Sequence, residues 1–348
     1  MKAAVYKGPK NVVIEDRPRP TAAPGEVVVK VKYCGICGTD VHSYLHEGII
    51  QAPTVFGHEA VGVVAEVGDG VERWKAGDRV AIGPPGTCGE CYNCRHGQPN
   101  LCEHAFSRTI GLSPATDGAY AEYVKVRYPR HMLLPIPEGV TFEDAVLFDV
   151  VGVSFHGIRK SRLRMGDNAV VIGTGPIGLA TMLLLKMAGA MHITALVRSP
   201  KKAELSLKYG ADLALEIGRE GAGLAETIGK LYGGKGADVV YECVGEPDAV
   251  ETSIAVAKSG GQVVILGVGG KPLVQSISSA QLVAREIDLL PCFVYDEDEI
   301  GMMFGMLANK KLKIAGMVTD IIGLEEVVPR GLERLANTRD QIKVLLAP

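Results

Sequence analysis

The sequence contains few aromatic residues and no long apolar segment. Aromatic side chains make up 5% of its 348 residues, and there is one tryptophan. No apolar run approaches the ~20 residues that cross a bilayer, and residues 1–7 lack the apolar core of a signal peptide. The formal net charge of −3 lacks the basic excess of nucleic-acid-binding proteins. We therefore expect a cytoplasmic protein that contacts neither membranes nor nucleic acid.

Glycine, by contrast, is abundant, with 43 residues. At roughly 100–200 residues per domain, the length predicts two domains. Short strands separated by turns occupy residues 1–150, whereas strands alternate with helices over 151–287. This pattern predicts an α/β protein with a mostly β barrel domain, followed by a doubly wound parallel sheet. After residue 288 the pattern is mixed, and we expect the last strand, at 342–346, to return to the first domain.

A cluster of cysteines predicts a structural metal site. Four of the eight cysteines fall within fifteen residues, in the pattern C-x2-C-x2-C-x7-C: Cys88, Cys91, Cys94 and Cys102. In a reducing compartment such a cluster favours a metal over disulfides, and the spacing matches neither common iron–sulfur pattern. Four thiolates complete a tetrahedral zinc site with no exchangeable position. We therefore expect a zinc ion to stabilise a small lobe at residues 86–104.

A glycine-rich turn predicts a dinucleotide site. The segment Gly173-Thr174-Gly175-Pro176-Ile177-Gly178 matches G-x-G-x-x-G, follows an apolar strand and precedes an amphipathic stretch. In this context the glycines permit a tight turn, close approach of the pyrophosphate and close packing of helix on strand. The helix N-terminus then faces the phosphates. The alternative is an ordinary glycine turn of a βα unit.

The end of the next strand bears on which nicotinamide cofactor is bound. An NAD site requires an acidic residue about 20 positions after the glycines, where this chain has Val197-Arg198-Ser199 and then Lys202. Neutral and basic groups there favour the 2′-phosphate of NADP through charge-assisted hydrogen bonds. The alternative is that Arg198 and Lys202 are solvated surface charges. We predict NADP, with NAD as the second choice.

A second constellation has the residue types of a catalytic zinc site, which needs three protein ligands and one exchangeable position. Cys37 and His58 offer a thiolate and an imidazole, Glu59 is adjacent to His58, and Asp149 offers a further oxygen. From spacing alone these positions are not shown to meet, because a lone buried histidine often belongs to a protein core.

Taken together, the motifs resemble those of one family. The segments 35–42, 57–59 and 77–80, the cysteine loop and the glycine turn occur in the order and spacing of zinc-dependent medium-chain dehydrogenases/reductases, in the group of polyol, threonine and butanediol dehydrogenases. The resemblance spans essentially the whole chain. It implies a GroES-like catalytic domain made of residues 1–150 and 288–348, a Rossmann domain at 151–287 and an active site in the cleft. It also implies homodimers or homotetramers.

The resemblance assigns roles to individual residues. Cys37 and His58 resemble the two most constant ligands of the catalytic zinc, and Glu59 resembles the neighbouring carboxylate. Asp149 matches the position of a third ligand, where relatives have Glu or Cys. Asp40 resembles the carboxylate that holds the zinc-bound histidine. Thr39 and His42 match the hydroxyl and imidazole of a proton relay that runs through the cofactor ribose. The further candidates for cofactor contact are Gly267, Val268 and Phe293.

These observations predict a reaction class. We expect two zinc ions per chain and hydride transfer between NADP and a secondary alcohol or its ketone, such as a polyol, vicinal diol or amino alcohol. The alternatives are an NAD-linked threonine- or sorbitol-type dehydrogenase, a zinc-free reductase of the same fold, or a non-catalytic dinucleotide-binding protein. The substrate stays open, although Tyr44, Phe56, Ile110 and Phe293 are candidates for the pocket lining.

The cofactor prediction can be tested by exchanging two residues. Val197→Asp combined with Arg198→Ile introduces the carboxylate that binds the ribose 2′-hydroxyl and removes a basic group, so the preference should shift toward NAD. The measurement is kcat/KM with each cofactor. Unchanged discrimination between NADP and NAD in the double variant would contradict the assignment.

Overall fold

The computed structural model describes residues 1–83, 85–220, 223–271, 278–314, 316–338 and 340–348. The chain forms two compact units, Met1–Asp149 with Val294–Pro348, and Val150–Phe293. The sequence placed the second boundary at residue 288. The structure instead assigns residues 288–293 to the second unit, because they include a strand of that unit's parallel sheet.

The first unit begins with short strands and short helices. Its strands before the boundary are β1 (Lys2–Gly8), β2 (Asn11–Asp16), β3 (Val27–Gly35), β4 (Thr54–Val55), β5 (Glu59–Val67), β6 (Arg79–Ile82), β7 (Tyr123–Val126) and β8 (Leu133–Pro135). Its helices are α1 (Gly38–Leu45), α2 (Tyr92–Arg95), α3 (Ala105–Arg108), α4 (Pro129–Met132) and α5 (Phe142–Ala145), with a 3₁₀ turn at Pro99–Leu101. The first boundary falls within α6 (Phe148–Lys160).

The second unit alternates strands and helices. Its strands are β9 (Asn168–Ile172), β10 (His192–Val197), β11 (Leu213–Glu216), β12 (Ala237–Glu242), β13 (Ala257–Ile265) and β14 (Asp288–Pro291). Its helices are α7 (Pro176–Ala188), α8 (Pro200–Lys208), α9 (Ile217–Glu220), α10 (Leu224–Leu231), α11 (Pro247–Val256) and α12 (Ser279–Arg285).

The chain then returns to the first unit. This segment contains α13 (Glu297–Ala308), β15 (Val318–Gly323), a 3₁₀ turn (Leu324–Glu326), a π-helical turn (Val327–Leu332), α14 (Glu333–Asn337) and β16 (Lys343–Ala347). β16 pairs with β3 in an antiparallel ladder. Because of this pairing, the C-terminal strand lies beside the strand that precedes Cys37.

Two sheets organise the first unit. The larger has the order β15-β16-β3-β5-β6-β8, with β7 also paired to β3, and the smaller has the order β2-β1-β4. Their apolar faces form one core, which includes Val5, Val29, Val64, Ile82 and Leu346. β3 contributes the alternate residues Val27, Val29 and Val31 to this core and β5 contributes Val64, so a one-residue slip would turn these side chains to the opposite face of the sheet.

The second unit has one parallel sheet in the order β11-β10-β9-β12-β13-β14. All its strand pairs are parallel, and β9 is an almost continuous buried apolar run, as expected for a sheet covered on both faces. The order is that of a Rossmann fold, in which ligands bind at the carboxyl ends of the strands. Among the described residues, no helix is both long and apolar enough to cross a membrane.

Candidate active site and cofactor-binding residues

Cys37 is fixed at the start of α1. It is the N-cap residue, and its Sγ accepts a hydrogen bond from the backbone N–H of Thr39 at 3.4 Å. Asp40 completes the capping box, because its Oδ2 accepts a hydrogen bond from the backbone N–H of Cys37 at 2.9 Å. The thiol therefore lies at the positive, N-terminal end of the helix dipole.

Strand pairing brings His58 and Glu59 to the same place. β3 and β5 pair antiparallel with Gly35 opposite Glu59, so the residues following β3 meet those at the start of β5. Gly57, with φ of 99°, turns the chain immediately before His58. A Cβ at Gly35 would overlap Oε2 of Glu59, so the glycine leaves room for that carboxylate. The ladder thus joins two motifs that are distant in sequence.

The resulting cluster has the dimensions of a metal site. One ligand atom each from Cys37, His58 and Glu59 lies within 4.8 Å of the others. Ligand atoms bound to tetrahedral zinc lie roughly 3.3–3.8 Å apart, given bonds of 2.0–2.3 Å. Two of the residues are buried and Cys37 is half-buried. A thiolate, an imidazole and a carboxylate are all zinc ligands, so the residues fit a zinc ion with three protein ligands.

The charges around His58 are consistent with a cation site. Burial alone lowers the pKa of His58, but the charges of Asp40, Cys37 and Glu59 together raise it to about 10. Asp40 Oδ1 lies 3.6 Å from His58 Nδ1, and both side chains are buried. Nδ1 of His58 nevertheless has no hydrogen-bond partner. Negative groups therefore outnumber positive ones around the imidazole.

Asp149 lies beside this cluster rather than within it. Its Oδ1 accepts a hydrogen bond from the hydroxyl of Tyr295 at 2.7 Å, and its carboxyl group is close enough to that of Glu59 for the two charges to interact. Burial and the charge of Glu59 raise the pKa of Asp149 to about 7. The ligand group formed by the described residues includes Glu59 and not Asp149. The geometry thus favours Glu59 over Asp149 as the carboxylate of the cluster.

Thr39 and His42 lie on one face of α1. They are three residues apart, a spacing that places helical side chains next to each other. Thr39 is half-buried beside Cys37, whereas His42 is exposed to solvent. Of the two, His42 is the more exposed, which is the order that the predicted proton relay needs.

The four clustered cysteines converge in a separate lobe. The Sγ atoms of Cys88, Cys91, Cys94 and Cys102 lie within 4.8 Å of one another, and the Cys88–Cys94 and Cys91–Cys102 pairs are each 3.9 Å apart. Tetrahedral zinc with Zn–S bonds of 2.3 Å spaces its sulfurs about 3.8 Å apart. Backbone amides, led by that of Cys94, lower the pKa of Cys91 to about 6, which favours the thiolate. The donor set fits a structural zinc ion.

In the second unit, the glycine turn joins β9 to α7. Gly173 has a φ of 100°, and a Cβ at Gly178 would overlap the carbonyl oxygen of Gly173. A Cβ at Gly175 would meet nothing within 4 Å, so the turn leaves room for a phosphate there. Pro176 occupies the first position of α7, which suits proline because that N–H has no helical acceptor. Ile177 follows it and is half-buried.

The residues predicted to select the cofactor lie at the adjacent strand end. β10 pairs parallel to β9 and ends at the buried Val197. The Ser199 side chain caps α8, and Lys202 Nζ donates to the carbonyl oxygen of Thr174 in the glycine turn at 3.4 Å. Arg198 is exposed and lies 3.7 Å from Asp248. The structure thus places Lys202 next to the glycine turn.

The remaining predicted cofactor residues follow β13 and β14. A Cβ at Gly267 would overlap the backbone N of Gly245, so the loops after β12 and β13 are in backbone contact. The side chains of Val268 and Phe293 are 70% and 38% exposed. The other candidates for pocket lining belong instead to the first unit's core, and they are Tyr44, Phe56 and Ile110.

Comparisons with known proteins agree with this geometry. Residues 23–138 match the model of the alcohol dehydrogenase GroES-like domain, and residues 176–309 match that of the zinc-binding dehydrogenases. Sorbitol dehydrogenase of Bacillus subtilis (strain 168) is 32% identical over 353 residues, which cover 100% of this chain and 97% of that protein. The chain belongs to the zinc-dependent medium-chain dehydrogenases/reductases. The resemblance inferred from the motifs and the fold it implied are confirmed, and the protein is an alcohol or polyol dehydrogenase.

Solved structures resemble this dehydrogenase over its whole length. Alcohol dehydrogenase TADH from Thermus sp. ATN1 has a TM-score of 0.91, with 100% of this chain and 99% of that chain covered. The 2R,3R-butanediol dehydrogenase of Bacillus subtilis and a zinc-binding dehydrogenase of Sinorhizobium meliloti 1021 bound to NADP each have a TM-score of 0.88, with the same coverage. All three are 30% identical to this chain.

Sequence reasoning missed two charged residues of the dehydrogenase. Lys343 on β16 is 2% exposed and forms an ion pair with Oε2 of Glu59. One feature of the sequence could have revealed this residue: a lysine stands within the apolar run Ile342 to Leu346. A charge buried with that run requires a partner of opposite charge. Glu242, at the end of β12, is fully buried and accepts hydrogen bonds from the backbone N–H groups of Val244 and Gly245 at 2.6 and 2.8 Å. Its carboxylate therefore shapes the loop after β12.

We predict that Lys343→Ala destabilises the metal-free first unit strongly, by about 3–5 kcal/mol, because it leaves the buried Glu59 carboxylate without its cation. The matched control is Lys125→Ala, which breaks a more exposed ion pair with Glu26 and should cost about 1 kcal/mol or less. Urea unfolding followed by the fluorescence of Trp74, the single tryptophan, reports on this unit. Equal losses in the two variants would contradict the prediction.

Proposed function

We propose that this dehydrogenase transfers a hydride between NADP and a secondary alcohol of a polyol or vicinal diol, or the corresponding ketone, and binds two zinc ions per chain. The observation that carries the proposal is the cluster of Cys37, His58 and Glu59 in the first unit. The substrate class is supported by the similarity to a sorbitol dehydrogenase and a butanediol dehydrogenase.

The proposed mechanism assigns a task to each side chain near the cluster. When bound, zinc would supply a Lewis acid that lowers the pKa of the substrate hydroxyl, and a nicotinamide cofactor would supply the hydride acceptor. Cys37, His58 and Glu59 hold the ion and leave one position for substrate. Thr39, half-buried beside Cys37, takes up the proton released from the alcohol as it passes its own hydroxyl proton toward His42. His42, exposed on the same helix face, transfers it to water.

NADP is favoured over NAD by the groups that follow β10. Arg198 and Lys202 are positively charged, and Ser199 lies between them at the start of α8. A 2′-phosphate gains charge-assisted hydrogen bonds from such groups. The similar Sinorhizobium meliloti dehydrogenase was crystallised with NADP, which supports the same choice.

An NAD-linked enzyme is the second candidate, and one contact favours it. Arg198 lies 3.7 Å from Asp248, so part of its positive charge is already balanced. A carboxylate near the ribose also repels a 2′-phosphate. The relative kcat/KM for NADP and NAD separates the two candidates.

We also propose that the dehydrogenase is a cytoplasmic homodimer or homotetramer. β14 lies at the edge of the second unit's parallel sheet. An edge strand offers unpaired backbone groups to a second copy of the chain, which supports self-association through this strand.

The first test combines a substrate screen with zinc analysis. Wild-type protein should contain two zinc ions per chain and oxidise vicinal diols or sugar alcohols faster than primary alcohols or threonine. Cys37→Ala or His58→Ala should remove one zinc ion and lower the rate about a thousandfold, because the Lewis acid contributes several kcal/mol. Cys91→Ala is the matched control, because it removes the other ion and should lower the thermal midpoint first.

Near-normal turnover by Cys37→Ala would contradict the zinc chemistry. Turnover of threonine alone across the panel would contradict the substrate class. One zinc ion per chain in the wild type, still present in Cys37→Ala, would show a structural site only.

A further inference from the structure

Tyr120 lies directly against the turn that precedes His58. It is fully buried, and a Cβ at Gly57 would overlap its ring. Its backbone N–H donates to the carbonyl oxygen of Phe56, and that of Ala119 donates to Gly57, each at 2.8 Å. The segment ending at Tyr120 is therefore hydrogen-bonded to the chain that leads into His58. The close approach of the Tyr120 ring explains why position 57 is a glycine.

The hydroxyl of Tyr120 reaches the carboxylate that connects the zinc ligands. It donates a hydrogen bond to Asp40 Oδ2 at 2.9 Å, and the same oxygen accepts the backbone N–H of Cys37 at 2.9 Å. The other oxygen, Oδ1, lies 3.6 Å from His58 Nδ1. One carboxylate thus accepts the amide of Cys37 and faces the imidazole of His58, and the phenol is one of two donors that fix its rotation.

We propose that Tyr120 is a positioning residue of the catalytic zinc site: its hydroxyl orients Asp40 so that Asp40 holds His58 and the amide of Cys37 in ligand geometry. This inference rests on the proposed zinc function of the cluster. Because Asp40 is fully buried, loss of one donor leaves its Oδ2 with the Cys37 amide alone. The carboxylate is then free to rotate, and Oδ1 loses its position beside the imidazole.

The aromatic cluster around Tyr120 supplies a matched control. The Tyr120 ring packs edge-on against Phe56, with ring centres 6.1 Å apart, and Phe56 stacks on Tyr6 at 4.6 Å. Tyr6 is also buried, and its hydroxyl donates to the carbonyl oxygen of Ser43 at 2.9 Å. Tyr120→Phe and Tyr6→Phe each remove one buried hydroxyl and keep the ring. Only the first removes a hydrogen bond to Asp40.

The test measures zinc release from holoenzyme into a chelating dye. Loss of partners that orient metal ligands typically costs 10–100-fold in metal affinity. Tyr120→Phe should therefore release the catalytic zinc at least about tenfold faster, whereas the zinc of the four cysteines serves as an internal reference with unchanged release. Tyr6→Phe should release both ions at wild-type rates. Trp74 fluorescence in urea should show similar destabilisation in the two variants.

A double-variant cycle tests whether Tyr120 acts through Asp40. Asp40→Asn should also speed release of the catalytic zinc, and adding Tyr120→Phe to it should cause no further acceleration. A release rate for Tyr120→Phe within twofold of wild type, or fully multiplicative effects in the double variant, would overturn the inference. A wild-type protein that holds one zinc per chain would overturn the proposed function instead, which keeps the two failures distinct.

Discussion

The antiparallel ladder between β3 and β5 is the constraint on which the candidate site depends. Its register sets Gly35 opposite Glu59, and a shift of one residue would turn Glu59 to the other face of the sheet. Val27, Val29 and Val31 of β3 and Val64 of β5 belong to the core of the first unit, and a slip of one residue would turn them away from it. The apolar core of the first unit therefore determines where a thiol, an imidazole and a carboxylate meet.

Around this junction, the site is built from buried charges that balance one another. Lys343 compensates Glu59, Asp40 faces His58, and Tyr295 donates to Asp149. Such groups are costly to bury alone. The arrangement gives each acidic group a defined partner and leaves the imidazole facing an excess of negative charge. A bound cation would complete that balance.

Much of this organisation could be predicted from the sequence, because the motifs have fixed chemistry. The cysteine spacing predicted the lobe, and the glycine turn after an apolar strand predicted the Rossmann unit. Contacts between segments that are distant in the sequence were harder to predict. Nothing near Lys343 in the sequence indicates that β16 lies beside β3, and nothing near Tyr120 indicates that its hydroxyl reaches Asp40. The sequence pattern alone does not separate core from pocket positions at Tyr44, Phe56 and Ile110, because such side chains suit both, and the structure places these three in the core of the first unit.

The central claim is that Cys37 and His58 bind one exchangeable zinc ion together with Glu59. Diffraction from crystals of the purified protein, recorded on both sides of the zinc absorption edge, tests it most directly. The account predicts an anomalous peak about 2.3 Å from Cys37 Sγ and about 2.0–2.1 Å from a ring nitrogen of His58. A peak among the four lobe cysteines, with none between Cys37 and His58, would contradict it.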